Sequence, residues 1–542
     1  MVVMKRKALA LGLSAVMVAS LAGCGSGTSS KNNAPASDLS VSNEEFFPLD
    51  EQIEVTIAAT RHDDYTKVGD TTVMKNMQEK TNIAVNWLDW PMSILKEKRG
   101  LAFSGDALPD AFYGSYILTN NDVVMYGSED YFLDFKPYIE NGSMPNLAKA
   151  IEKEPQILND ITAPDGKIYA LPTVQLGEGM NLTSDTVLIN KTWLDKVGKP
   201  VPTTTEELYD VLKAFAAAGD LNGNGKADEI PMTFRYGDNN NGCWGLLGWF
   251  GTPGGTSRVP VMGEDGKLVF AQATEDYKDA MKYFNRLYSE KLLDPEIFTM
   301  DTATYNAKTI AEEPVAGVLV TWSKYQVNNA ATNGDEYVYL PPLKSDNGKD
   351  PKWQTRAFAY NRTAAFLINS ESQYADQLVK WADMWYDVDT SIEAMYGGSD
   401  YVEKVGEGKY KMLPDANGNE TTWASRSAYC PGNDALAIVL QQDFQIEPKK
   451  QSQVEKAEAD EMYKPFLPEK YYNEIWYTTT EESEEIGNYR TDFDAYLDQM
   501  AADFVTKGDV DGKWDSYIQN LNKLNMEKLL ELYQGIYDRN SK

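Results

Sequence analysis

The chain has 542 residues, with 82 acidic against 51 basic side chains, a net charge of −31 and an isoelectric point near 4.5. Its 42% hydrophobic and 11% aromatic content is that of a globular protein long enough for two or three cores. The charge argues against a nucleic-acid partner, since nothing would offset the phosphates, and a single histidine, His62, leaves Ser-His or Cys-His catalysis no other base.

The chain opens on Lys5-Arg6-Lys7, a short apolar run from Ala8 to Ala19, and Leu21-Ala22-Gly23-Cys24. Basic residues, a run too short for a membrane span and small residues after it predict a secretory signal over 1–23. The Cys at the cleavage point looks like a bacterial lipobox, in which the Cys24 thiol takes a diacylglyceryl group. Residues 24–45 then form the anchor and tether, and the small polar stretch 25–42 has a reach on the order of 20–25 Å as a random coil. No later segment is apolar enough to cross a bilayer. The expectation is an exported protein held by lipid alone to the outer face of the cytoplasmic membrane.

From residue 53 strands and helices alternate. Apolar residues at every second position predict a strand over 53–58; a helix over 73–80, a strand over 83–87, a helix over 92–103 and a short strand over 110–113 follow. A second series begins with a strand at 187–190. In "VPTTTEELYDVLKAFAAAG", Thr204 and Glu207 form a capping box, and Leu208, Val211, Leu212 and Phe215 recur at helical spacing up to Gly219. Strands at 230–234, 315–321 and 364–368, helices at 277–291 and 372–386, and a helical tail from 492 complete the pattern. Alternation of this kind predicts parallel sheets with helices on both faces, hence two α/β lobes with a cleft at the carboxyl ends of the strands.

Residues just past those strands are the natural ligand contacts: Arg61, His62, Asp63, Asp64 and Tyr65; Asp89 and Trp90; Tyr113 and Tyr116; and Trp322 to Tyr325. Trp244 adds to them from the aromatic stretch "CWGLLGWFG". Aromatic rings stack on the apolar faces of sugars while Asp, Asn and Arg bond the hydroxyls. Acidic runs such as "EKAEADE" (455–461) and "TTEESEE" (479–485) read as solvated faces. Cys243 and Cys430 have no partner at zinc spacing; a pairing of the two in an oxidising compartment stays open, but two Cys this far apart read as small buried hydrophobes.

"DLNGNGKADE" (220–229) sets side-chain oxygens at loop positions 1, 3, 5, 9 and 10, with Gly225 at 6. That is most of a calcium loop, yet Pro231 stands where an EF-hand has its bidentate Glu. Without the ligand whose movement opens sensor EF-hands, the ion expected here is structural. Asp415-x-Asn417-Gly418-Asn419 lacks the Gly at 6 and reads as a polar turn, and Asp511 reads as a helix cap.

With these motifs in order behind a lipobox, the whole chain resembles the extracellular solute-binding proteins of family 1, the lipid-anchored receptors of ABC sugar importers. The branch with a calcium loop, which includes alginate-binding proteins, is the most similar. The resemblance is carried by "SGDALPDAFYG", "DGKIYALP", "VLINKTWLDKVGKPVPTTTEELYDVLKAF", the calcium loop, "RLYSEKLLDPEIF" and "GKWDSYIQNLNKLNMEKLLELYQGIYDR". It implies the α/β, two-lobed type II periplasmic-binding-protein fold, with lobe 1 over 46–170 plus 358–395 and lobe 2 over 171–357 plus 396–542. It implies a Ca2+ site of Asp220, Asn222 and Asn224 side chains, the Lys226 carbonyl and the Asp228 and Glu229 carboxylates. It also implies cleft roles for Tyr113 and Trp322. The function implied is a monomeric, non-enzymatic receptor that captures an oligosaccharide and delivers it to an ABC permease. A secreted glycosidase with paired carboxylates and a calcium-stiffened glycan adhesin are the alternatives, but no nucleophile motif and no repeat is visible.

Overall fold

The computed structural model describes residues 37–541, apart from 106–107, 177–181, 184, 239–240, 256–257, 311–314, 329–335, 356–359, 416, 419–420, 422 and 450. The signal, Cys24 and most of the tether lie outside the described residues. No helix among those described is long and apolar enough to cross a membrane.

In chain order the strands are β1 (Ile53–Ala59), β2 (Ile83–Asp89), β3 (Ala111–Tyr113), β4 (Leu171–Leu176), β5 (Thr186–Asn190), β6 (Ile230–Thr233), β7 (Val261–Met262), β8 (Leu268–Val269), β9 (Ala316–Thr321), β10 (Tyr337–Leu340), β11 (Tyr360–Ile368), β12 (Val402–Gly406), β13 (Lys409–Met412), β14 (Ile438–Leu440) and β15 (Gln445–Glu447). Six of them form one sheet in the order β14-β4-β11-β3-β1-β2, and four form another in the order β10-β5-β9-β6. In the first sheet β1, β2, β3, β4 and β14 run one way and β11 opposes them. The alternation read in β1 has its physical cause here: Val55 and Ile57 go to one face, Ala58 to the other, and each face has its own helix-covered core.

The helix Thr205–Ala218 starts on the predicted reciprocal cap, Thr204 accepting from the Glu207 amide while the Glu207 carboxylate accepts from the Thr204 amide, and ends at Gly219 with φ 74°. Leu208, Val211, Leu212 and Phe215 are buried in the core of the second sheet. Three more helices, Thr480–Lys507, Val510–Lys523 and Met526–Asn540, close the chain against that core. Asp511 is not the cap: the last-but-one helix begins at Val510, and Asp511 in its first turn pairs with Lys278 and Lys282 at 3.5 and 3.2 Å.

The expected lobe boundaries differ from the sheets. β4 (171–176) lies in the first sheet, as does β14, and Tyr396 to Ile446 contribute to the first core. The buried apolar run "ALAIVL" at 435–440 ends in β14, a strand buried on both faces, so it lacks the alternation that marks a half-exposed one. Cys243 and Cys430 are buried, as expected.

Candidate functional site

The topology fixes which strand ends face each other. The chain leaves the carboxyl end of β4 and enters β5 at Thr186, which pairs with Thr321, the last residue of β9. It re-enters the first sheet at the amino end of β11, beside Val174 near the carboxyl end of β4, and leaves it again past β14. All three passages therefore use one edge of each sheet. On the first this edge holds the residues after β1, β2 and β3; on the second it holds those after β6, β9 and β10.

The sequence-predicted contacts divide sharply there. Tyr113 is fully buried, edge-on to Trp87 and Trp381, and its hydroxyl accepts from the Leu436 amide at 3.0 Å. Burial pushes its phenol far above the usual value. Still inside β3, its side chain points to a helix-covered face and not to the edge. Trp90 is likewise a core ring. Its amide continues the ladder to the Ala59 carbonyl one residue past β2, so the indole lies on the sheet face against Phe112 at 6.0 Å. Trp244 opens the short helix Trp244–Leu247, fully buried with Arg258 5.7 Å from its ring. None of these three rings is an accessible platform in this structure.

Arg61 is buried too. Its guanidinium donates to the carbonyls of Thr66 (2.8 Å), Ser427 (3.1 Å) and Pro431 (3.4 Å), tying the β1 loop to the segment before β14. Burial lowers its pKa, with Asp434 opposing. Asp63 is exposed, but its two oxygens accept from the amides of Met92 (2.5 Å) and Ser93 (3.1 Å), holding the turn after β2. These hydrogen bonds, that of Ser93 foremost, lower its pKa. Asp89 pairs with Lys67 at 3.3 Å. His62 is exposed beside Asp64, Nδ1 to carboxylate 3.5 Å.

Of the predicted rings, Tyr65, Tyr116, Trp322 and Tyr325 keep part of their surface open, and Tyr116 and Trp322 come directly after β3 and β9. Tyr116, just past β3, is 46% exposed, and among the described residues it is the one aromatic side chain in the exposed class. Trp322, the first residue past β9, is half-buried. One ring thus comes from each sheet, at the facing edges. A half-open cavity of about 500 Å3 lies elsewhere, between 253–263, 350–355 and 465–474, with Trp353, Phe466 and Tyr472 among its walls. It takes no residue from the strand ends of the first sheet, so the facing edges are the better candidate.

The loop 220–229 curls as a cation loop does. Asp220 accepts from the amides of Gly223 (2.7 Å) and Gly225 (2.9 Å), Asn222 from that of Asn224 (3.0 Å), and Asn224 from that of Lys226 (2.8 Å). Gly223 and Gly225 take φ of 82° and 80°, which other residues resist. Asn224 Nδ2 reaches Asp228 at 3.2 Å, and Glu229 Oε1 accepts from Asn222 at 3.1 Å while its Oε2 is buried without a partner. That orphaned carboxylate oxygen fits a cation. Against it, no three His, Cys, Asp or Glu side chains converge as a metal site among the described residues. The loop enters β6 at its amino end, so it lies at the edge of the second sheet away from Trp322, roughly 20 Å along the strands at 3.3 Å per residue.

Two α/β sheets, each with its own core, joined by three passages across facing strand ends, build the two-lobed architecture seen in solute-binding proteins. No family model matches the chain. It is 28% identical over 535 residues, 96% of both chains, to the fructooligosaccharide ABC transporter substrate-binding protein FusA of Streptococcus pneumoniae. Over 210 residues, 38% of each chain, it is 33% identical to lipoprotein LipO of Bacillus subtilis. The solved structure of S. pneumoniae FusA with kestose has a TM-score of 0.77 and 26% identity, over 90% of this chain and 99% of that one. An EF-hand mutant of FusA with fructo-nystose has the same TM-score at 25% identity and the same coverage. The chain is thus similar along nearly its whole length to a substrate-binding protein of an ABC transporter.

Proposed function

We propose that this protein is the lipid-anchored receptor of an ABC importer, which captures an oligosaccharide between its lobes and hands it to a membrane permease without chemical change. The observation that carries this reading is the pair of accessible rings, Tyr116 and Trp322, one at each facing edge. Rings so placed stack on opposite faces of a sugar chain only when the lobes close, which makes closure favourable only with ligand present. The end-to-end likeness to a fructooligosaccharide receptor supports a sugar ligand.

The charges favour an uncharged sugar over a polyuronate. Among the described cations near the edges, Arg61 is engaged by three carbonyls, Lys67 by Asp89 at 3.3 Å, Arg235 by Asp238 at 2.7 Å and Lys324 by Glu458 at 2.6 Å. A carboxylated chain needs free guanidinium or ammonium groups. Ca2+ bound by 220–229 is structural in this reading: Asp220, Asn222, Asn224, the Lys226 carbonyl, Asp228 and Glu229 would hold it, relieving their mutual repulsion. Cys24 carries the lipid, and Cys24→Ser releases the protein or leaves it unprocessed. A processed, stably membrane-bound Cys24→Ser protein would contradict the anchor.

The test is to mix purified protein with pools of neutral and acidic oligosaccharides. The reading expects depletion of a neutral pool with no new reducing ends; new reducing ends would indicate a glycosidase.

A further inference from the structure

The acidic stretch 455–461 is only in part the solvated face its charge suggests: Glu458 and Glu461 are exposed. It lies in the helix Gln451–Tyr463, and Glu455, Lys456, Ala459 and Asp460 are buried. Lys456 is fully so, at 0% exposure. Burying an ammonium is costly unless it is well partnered. Its Nζ donates to the Thr183 hydroxyl at 2.7 Å and to the Trp322 carbonyl at 3.2 Å. It stands 3.7 Å from Asp460 Oδ1 and 5.4 Å from the centre of the Trp322 ring. Asp460 in turn accepts from Thr183 at 3.0 Å.

The partners belong to three different parts. Thr183 is in the first passage between the sheets, Trp322 is at the candidate site, and the helix itself continues the third passage. The same helix holds the rest of the Trp322 turn. Glu458 pairs with Lys324 at 2.6 Å, and the Glu455 carbonyl accepts from Tyr339, whose oxygen accepts from the Lys324 amide. We infer that Lys456 is a positioning residue: it fixes the Trp322 ring against the interlobe passage, so that passage and ring move together when the lobes close. The inference rests on Trp322 contacting ligand, but the coupling is measurable without any sugar. A cation over an indole face holds both ring position and tilt, and a contiguous hydrogen-bonded cluster is the physical route by which two sites share one rearrangement.

The test is 19F NMR of the full chain carrying 5-fluorotryptophan, with the Trp322 signal assigned by its loss in Trp322→Phe. Lys456→Met should shift or broaden that signal and leave Trp385, buried in the other core, unmoved. Thr183→Val removes only the passage contact and should move the Trp322 signal in the same direction by less. An unchanged Trp322 signal in a folded Lys456→Met protein overturns the positioning role. An unchanged signal in Thr183→Val overturns the link to the passage, and this variant decides the matter if Lys456→Met does not fold. Affinity for kestose, read in parallel, should fall about tenfold in Lys456→Met. Absence of binding to every sugar of a neutral panel in the unmodified protein counts against the receptor reading alone.

Discussion

Tyr113 and Tyr116 stand three residues apart and have opposite lives. Tyr113→Ala should cost about 3–5 kcal/mol of stability, and Tyr113→Phe, which strips one buried hydrogen bond to Leu436, about 1 kcal/mol, with sugar affinity retained in both. Tyr116→Ala and Trp322→Ala should melt like the parent but bind roughly 10- to 100-fold more weakly, the loss of one buried ring face; calorimetric titration separates these outcomes. The sequence places the end of β3 to within a few residues, which is too coarse, because one step along a strand turns a side chain from edge to face. Trp90 was misread for the same reason. The end of β9 was legible because its run Ala316 to Val320 is apolar and stops at Thr321, which places Trp322 one residue past it. Asp160 offers a pH test. It accepts from Gln156 and from Trp476 Nε1, both at 2.8 Å, and burial raises its pKa to about 6. A carboxyl raised in the folded state favours folding while protonated, so its contribution is full below the ordinary pKa near 4 and is lost as pH rises through 6. Asp160→Asn keeps the accepting oxygen, so its stability relative to the parent should climb by on the order of 2–3 kcal/mol between pH 4 and 7, then level off. A flat difference in denaturant titrations at those pH values would contradict the shift.

At the scale of elements, strong local signals were readable and tertiary ones were not. The Thr204 capping box, the helix it starts and its stop at Gly219 needed only propensity and spacing. The helix 451–463 needed more, for nothing local says that Lys456 is sealed beneath Trp322; the charge pattern argues the reverse. β14 was missed because a strand buried on both faces shows no alternation. The loop 220–229 joins a capped helix to the far end of β6. Chelation or Asp220→Ala should therefore lower the melting temperature by several degrees, with sugar affinity at ordinary temperature little changed. A large affinity loss in a chelated protein that is still folded would tie the loop to the cleft.

At the scale of the whole molecule, three passages at one edge permit one sheet to swing toward the other, and Tyr116 and Trp322 lie where that motion brings the lobes together. Small-angle scattering should show a smaller radius of gyration on saturation with a bound sugar. The second sheet's core, from 187 to 536, and the two on the faces of the first, from 47 to 477, are separate clusters, with Trp476 of the second bonded to Asp160 beside the first. The central claim, reversible capture of an oligosaccharide, is tested most directly by isothermal titration of the purified protein with kestose, nystose and a panel of other neutral oligosaccharides, with the sugar recovered afterwards for analysis. The account predicts saturable one-to-one binding of at least one neutral oligosaccharide, recovered intact. No binding across the panel, or a bound sugar recovered as shorter chains, would contradict it.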